Sequence, residues 1–198
     1  MNHNTGQLNI RAELKRKAIH LATSVFPIVY FFCLTQEQIS IIFVILTILF
    51  LLAELIRYQW PSGKNLFIKI FFPLLRENEK YDQLTGATLF FISATITFIL
   101  FEKTIAVPAV LILSVCDSLA AIFGKRTGKH KFLAKSLEGS ITFFVCCVVL
   151  LLIFKPEMDL FGIIAVGGLL TVLEAAAVPV NDNLLIPVPA ALLLKLFS

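Results

Sequence analysis

Charge is what this chain has least of. Only 15% of its 198 residues are Asp, Glu, Lys or Arg, whereas an ordinary soluble domain carries about 25%. With 58% hydrophobic residues and a mean hydropathy of +0.90, that scarcity excludes a water-soluble globular domain. It leaves no room for a separate soluble part, so residues 1–198 are expected to form one integral-membrane domain of spans and short loops. Cysteine is rare too. Cys33, Cys116, Cys146 and Cys147 all lie in apolar segments without metal-type spacing. That excludes a disulfide framework and leaves small, polarizable packing residues. No small-x-small site follows the first apolar stretch, and Phe32 precedes Cys33, so neither a cleaved leader nor a lipoprotein site is expected. Internal repeats and low-complexity tracts are absent. The net charge of +4 does not point to nucleic acid, because the basic residues cluster by loop as membrane topology requires.

What is present is a series of apolar runs, most of them about 17–20 residues long and long enough to cross a bilayer as helices. They fall at 18–34 (in a helix starting near Ile10), 38–57, 84–101, 104–123, 138–154 and 159–174, with a shorter one at 184–197. The expected fold is therefore an all-α polytopic bundle of about seven transmembrane helices. Residues 1–6 are expected to be disordered. The one long connection, 57–83, sets Leu66, Phe67, Ile70, Phe71, Leu74 and Leu75 beside Lys64, Lys69 and Arg76, the pattern of an interfacial amphipathic segment. Alternate loops hold fourteen of the seventeen Lys and Arg, leaving Lys103, Lys155 and Lys195 for the other side. The positive-inside rule then puts the N-terminus in the cytoplasm and the C-terminus outside.

With that orientation, His20, Glu54, Asp117, Glu138 and Glu174 all fall in the inner half of their spans, and the outer halves hold no charged residue except Asp159 and Lys195 at the outer ends of theirs. A carboxylate in hydrocarbon costs several kcal/mol and marks a functional site by default. A solute path needs polar groups through the midplane, whereas an inner-leaflet active site does not. The pattern favours an enzyme over a transporter.

Three stretches carry the candidate site. In the first helix Glu13, Arg16, Lys17 and His20 share one face, as a phosphate-facing stripe or as a snorkelling basic flank. In the fourth span Ser114, Asp117, Ala121 and Gly124 form a small polar face, followed by Lys125, Arg126, Gly128, Lys129, Lys131 and Lys135. The run 124–129 fails the P-loop pattern in glycine spacing, in lacking Ser or Thr after Lys129, and in following a membrane helix. Glycines can still open backbone conformations whose N–H groups cradle phosphate while cations neutralise it. Ser136 could cap the helix that begins near Glu138 and add anion-binding N–H groups. In the sixth span Gly167, Thr171 and Glu174 align. Asn181-Asp182-Asn183 follows on the same side, as ordinary capping chemistry or as oxygen ligands for Mg²⁺, which takes one or two carboxylates plus substrate phosphates.

In these three patches the chain resembles the CTP-dependent lipid kinases, which include dolichol kinase, phytol kinase and yeast-type diacylglycerol kinase. The patches are Arg16-Lys17 with His20; Asp117 through Gly124 and Gly128 to Lys135-Ser136-Leu137-Glu138-Gly139-Ser140; and Glu174 with Asp182-Asn183-Leu184-Leu185-Ile186-Pro187. Phosphatidate cytidylyltransferases are similar more distantly. The resemblance implies CTP as phosphoryl donor, a divalent metal, a lipid alcohol as acceptor, and Arg16, Lys17, Asp117 and Gly124 as essential residues.

The expected activity is transfer of the terminal phosphoryl of CTP to a polyprenol, a phytol-like alcohol or diacylglycerol at the cytoplasmic leaflet. Asp117, Glu138, Arg16 and Lys17 are the catalytic candidates. Gly124, Lys125, Gly128, Lys129, Lys135, Ser136 and His20 are the nucleotide-binding ones. Asp117, Glu174 and Asp182 are the candidate Mg²⁺ ligands. CDP-lipid synthesis and non-enzymatic transport are the alternatives. The partners are CTP, the lipid and the bilayer, with no nucleic acid.

Overall fold

The computed structural model describes residues 3–60, 83–176 and 181–198, with side chains from Glu13 onward. The expected interfacial connection and residues 178–180 of the tail loop lie outside the described residues. The described chain is helical apart from one two-stranded hairpin. In order it comprises α1 (His3–Ala22), α2 (Val25–Cys33), α3 (Gln36–Gln59), α4 (Gly86–Leu100), α5 (Lys103–Leu111), a π-helical stretch (Ile112–Asp117) and α6 (Ser118–Thr127). Then come β1 (Lys131–Phe132), β2 (Lys135–Ser136), α7 (Leu137–Phe154), α8 (Leu160–Ala175), α9 (Asp182–Leu185) and α10 (Pro187–Phe197). Helix already covers residues 3–6, where the sequence suggested disorder.

Among the described residues three helices are long and apolar enough to cross a membrane: α3, the continuous run α5–π–α6 (Lys103–Thr127), and α7. Helices α4 and α8 are apolar but shorter. The run Lys103–Thr127 is the hub, with 78% of its apolar stretch buried against 17% for α3 and 33% for α7. Helices α1, α2, α7 and α10 pack on it, α3 lies outside on α4, and α8 outside on α7. The peripheral helices turn large apolar side chains outward, Ile45, Leu49 and Leu52 on α3 and Val145, Val149 and Ile153 on α7 among them. Such extended apolar surface suits hydrocarbon rather than water.

Four of the apolar helices begin where a side chain provides a cap. Thr35 and Gln38 form a reciprocal capping box on α3. Thr85, Ser136 and Asp159 accept from backbone N–H groups three residues on, opening α4, α7 and α8. Two expected spans are interrupted, both at proline. Pro27 has no N–H to offer the Thr23 carbonyl one turn back, and its ring crowds that carbonyl. The first span therefore breaks at Thr23-Ser24, where Phe26 N bonds the Thr23 carbonyl in a tighter turn. Pro187 likewise leaves the Asn183 carbonyl without a helical donor. Ser93 Oγ of α4 donates to it at 2.5 Å, and Asn183 Nδ2 donates to the Gly86 carbonyl at 2.8 Å. The last segment is thus two short helices pinned to α4.

Two further departures bear on the site. Helix α6 continues through Gly124 to Thr127, so Gly124 lies in a helix and not in a loop. The rest of the basic connection is an ordered hairpin pairing Lys131 with Ser136 and Phe132 with Lys135.

Candidate active site

The sequence places an acid in the hub helix, and the π-helical stretch determines what that acid faces. A π turn inserts one residue into the α repeat and so rotates everything after it. Ser114 turns inward, its hydroxyl donating to the Val110 carbonyl at 2.8 Å. Asp117, Ala120, Ala121 and Gly124 instead share the wall of a cavity of about 330 Å³. That is at the small end of the roughly 300–1,000 Å³ range of ligand sites. The stripe read from the sequence loses Ser114 and gains Ala120.

Four carboxylates (Glu13, Asp117, Glu174, Asp182) and three lysines (Lys17, Lys125, Lys135) line this cavity, with Ser136 and Gly139 closing it. The three patches of the sequence therefore converge from α1, the hub, the hairpin, α7, α8 and α9. Lys17 is buried and donates to Asp117 Oδ2, itself 1% exposed. His20 Nε2 lies 4.0 Å from the same oxygen, and its ring meets the edge of Phe90. Arg16 turns back along α1 to Glu13, and Lys125 approaches Glu13 from α6 at 3.8 Å. Burial would raise the Glu13 carboxyl, but Arg16, Lys125 and Lys17 outweigh it and hold Glu13 below the usual range.

Lys135 is the centre of the opposite wall. Its ammonium donates to Glu174 Oε1 at 2.5 Å and Asp182 Oδ2 at 2.9 Å. Burial disfavours the charge, yet Asp182, Glu174 and Asp117 together keep its pKa above the ordinary lysine value. The other Glu174 oxygen is buried without a hydrogen-bond partner. Such an atom costs about 1–3 kcal/mol if left unsatisfied.

The glycines serve packing. No described glycine has a positive φ. A Cβ on Gly124 would lie 2.8 Å from Ser136 Oγ and 3.2 Å from Gly139 Cα, and one on Gly128 would lie 2.2 Å from the Gly124 carbonyl oxygen. The expectation of open backbone conformations around phosphate is corrected accordingly. These glycines let α6 and the start of α7 touch, with Ser136 Oγ between them also capping α7 at the Gly139 N–H.

Glu138 lies outside the cavity lining. Its carboxylate accepts from the N–H of Lys129 at 3.0 Å and of His130 at 3.3 Å, and meets His130 Nδ1 at 2.9 Å, so it braces the loop before the hairpin. The Lys129 side chain is exposed and outside the lining as well. Glu54 belongs to a separate cluster. It accepts from Thr85 N at 2.8 Å and Thr88 Oγ1 at 3.0 Å and pairs with buried Arg57 at 2.5 Å, joining α3 to α4. No group of three or more His, Cys, Asp and Glu poised for a metal occurs among the described residues. Asp117 is engaged by Lys17, and Glu174 and Asp182 by Lys135. Glu13 is the lining residue that the sequence left off the site, although its place on the Arg16–Lys17–His20 face pointed to it.

Comparison with known proteins bears on the family of this chain. The chain is 32% identical over 209 aligned positions to CTP-dependent diacylglycerol kinase 1 of Schizosaccharomyces pombe, covering 96% of this chain and 95% of that protein. It is 28% identical to an uncharacterized protein of Rickettsia prowazekii, covering 93% and 94%. It is 24% identical to CTP-dependent diacylglycerol kinase 1 of Eremothecium gossypii, over 76% of this chain and 50% of that one. No family model matches the sequence, and no solved structure does.

Proposed function

Because the chain belongs to the CTP-dependent lipid kinase family, we propose that it transfers the terminal phosphoryl group of CTP to a lipid alcohol, with diacylglycerol the first acceptor to test. The observation that carries this reading is the convergence of all three patches on one charged cavity in a membrane protein. Phosphoryl transfer is largely positioning and charge neutralisation, and the lining offers both. Asp117, held by Lys17, orients the acceptor hydroxyl and takes its proton as the oxygen attacks the terminal phosphorus. The bond to the leaving oxygen breaks and CDP departs. Lys17, Lys125 and Lys135, with Arg16 and His20 behind, neutralise the phosphates. Gly124, Gly128 and Ser136 keep α6 and α7 close enough to form the wall. Glu138 braces the loop and is not assigned to the chemistry.

A divalent ion fits this lining. Four carboxylates face three ammonium groups in the lining, and Arg16 behind it pairs with Glu13, so the resting site has no net positive charge to draw in a triphosphate unless further cations accompany it. The partnerless Glu174 oxygen and Asp182 are the residues to hold Mg²⁺, a hard ion that takes one or two carboxylates. When bound, Mg²⁺ would supply neutralisation of charge on the phosphates. Seven spans in a single domain, a cytoplasmic N-terminus and a cavity facing the cytoplasmic leaflet complete the proposal, supported by the distribution of Lys and Arg.

The test is to incubate purified protein with labelled CTP or ATP and a panel of diacylglycerol, phytol-like and polyprenol acceptors. Phosphorylated lipid with CDP as co-product is expected. Pyrophosphate with a CDP-lipid would mean cytidylyl transfer instead, and no nucleotide turnover would refute the reading. Asp117→Asn retaining full turnover would remove that residue from the mechanism.

A further inference from the structure

Most cations near the cavity are engaged. Lys17, Lys125, Lys135 and Arg16 each face a carboxylate within the described residues. The exposed side chains of Arg126, in the last turn of the hub helix, and of Lys129 and Lys131, on the connection to α7, have no such partner there. The same segment exposes apolar side chains, Phe123 at 49%, Leu133 at 55% and Leu137 at 38%. Leu133 is unusual in its backbone as well. At φ 50° it is the one described non-glycine residue in the left-handed region, which bulky side chains seldom occupy. The hairpin register and the bond from Ala134 N to the Ala175 carbonyl at 3.0 Å hold the tip in that shape. At the other end, Glu138 holds the backbone of Lys129 and His130. The fold thus spends two anchors and an unfavourable φ on an exposed leucine at the tip of a basic hairpin.

The two helices that the hairpin joins are both of span length and apolar, so the hairpin sits where a bilayer's headgroups begin. We propose that the segment from Arg126 to Leu133 is a docking surface for anionic phospholipid headgroups of the surrounding bilayer. Arg126, Lys129 and Lys131 pair with headgroup phosphates, and Leu133 enters the acyl boundary. Interfacial segments bind by this combination of apolar burial and attraction to anionic lipid. The inference rests on the membrane setting and not on the assignment of a kinase.

The test reads lipid contact, not turnover. The protein is reconstituted in phosphatidylcholine bilayers containing a minority of phosphatidylglycerol, re-extracted gently, and its retained lipids are quantified by mass spectrometry. Phosphatidylglycerol is expected to be enriched over its bulk fraction, and enrichment should fall in high salt. Each basic residue near such a surface is worth a factor of about five. The triple variant Arg126→Gln, Lys129→Gln, Lys131→Gln should therefore lose on the order of tenfold or more of the preference. To locate the contact, Leu133→Trp in a Trp60→Phe background is quenched by brominated lipids, and brominated phosphatidylglycerol should quench more than brominated phosphatidylcholine. If the tryptophan variant does not fold, lipid retention by the unaltered chain still decides. Equal retention of the two lipids, or enrichment that survives the triple neutralisation, overturns the proposal. Quenching by neither lipid would mean that the hairpin faces water or an acidic protein, and also overturns it.

Discussion

Replacing Lys17 by methionine should be among the most damaging single changes in the molecule. Its ammonium is paired with Asp117 Oδ2, and the two side chains are only 11% and 2% exposed. Removing one partner of a buried pair strands the other charge and costs about 3–5 kcal/mol, whereas replacing both by apolar groups of similar volume is often neutral or stabilising. For a chain of this length each kcal/mol is worth about 2–4 °C, so Lys17→Met should melt about 6–20 °C lower. The double variant Lys17→Met, Asp117→Leu should recover most of that loss. Recovery of fold should not bring recovery of chemistry, because the double variant has lost the group proposed to orient the acceptor. The assay is thermal unfolding of purified variants in one detergent, followed by circular dichroism, beside CTP-dependent phosphorylation of diacylglycerol. A Lys17→Met protein melting with the wild type would refute the buried pair. A double variant no more stable than Lys17→Met would show that no stranded charge was involved, and one that still turned over would exclude Asp117 from the reaction.

Gly124→Ala drives a Cβ to 2.8 Å from Ser136 Oγ; it should cost about 1–3 kcal/mol as overpacking and raise the KM for CTP, and an unchanged melting point would contradict the close approach. Glu54→Leu removes the carboxylate paired with buried Arg57, which keeps the Gln83 carbonyl at 2.7 Å, and should cost about 3 kcal/mol, while turnover of the folded fraction stays that of the wild type; a fall in turnover at constant fold would tie this cluster to the site. Lys135 has a raised pKa; a raised value contributes stability that is full below the unfolded pKa and is lost as pH rises through the folded one. Its ion pairs should therefore hold from neutral pH to about pH 10 and weaken above that, and Lys135→Met should lack this alkaline loss in a melting-versus-pH series. CTP binding measured by calorimetry should collapse when divalent ions are chelated, and undiminished binding would contradict the need for accompanying cations.

Much of this was legible in the residues because hydrocarbon leaves a chain few options. Apolar runs bounded by Thr35, Thr85, Ser136 and Asp159 gave helices whose observed starts match within two residues. The Arg16–Lys17, Asp117 and Glu174–Asp182 patches were found because charges are so rare that each one stands out. What escaped was information held by partners distant in sequence. A π turn at Ile112–Asp117 depends on which neighbours reward the extra residue, so the face of Asp117 could not be settled from spacing. Gly124, Gly128 and Gly139 carry no mark distinguishing a flexible loop from a helix contact, and only the position of Ser136 decides it. Glu138 stood within a promising patch, but its partners proved to be the backbone N–H groups of Lys129 and His130 and the His130 ring, eight and nine residues earlier. The breaks at Pro27 and Pro187 were written in the sequence and overridden there by hydropathy.

In a chain this poor in charge, the bonding of each buried ion separates scaffold from site. Glu54 accepts from Thr85 and Thr88 on one oxygen, and its other oxygen, which lacks a hydrogen bond, lies 2.5 Å from the Arg57 guanidinium as an ion pair; Lys155 is buried against Glu157 at 2.6 Å. Buried polar groups in folded proteins are satisfied in this way, and the exceptions require a reason. Glu174 is such an exception. One oxygen is held by Lys135, the other has no partner, and both belong to a residue lining a cavity with carboxylates in excess. A lysine bridging two carboxylates is tolerable at rest, because it offsets half of their charge without closing the site. On the proposed reading Lys135 would turn to phosphate oxygens, and Glu174 and Asp182 would be the carboxylates left to hold a divalent ion. The Glu54 cluster offers no such exchange, and for that reason the site is assigned to Lys135 and its partners rather than to the better-satisfied ion pair.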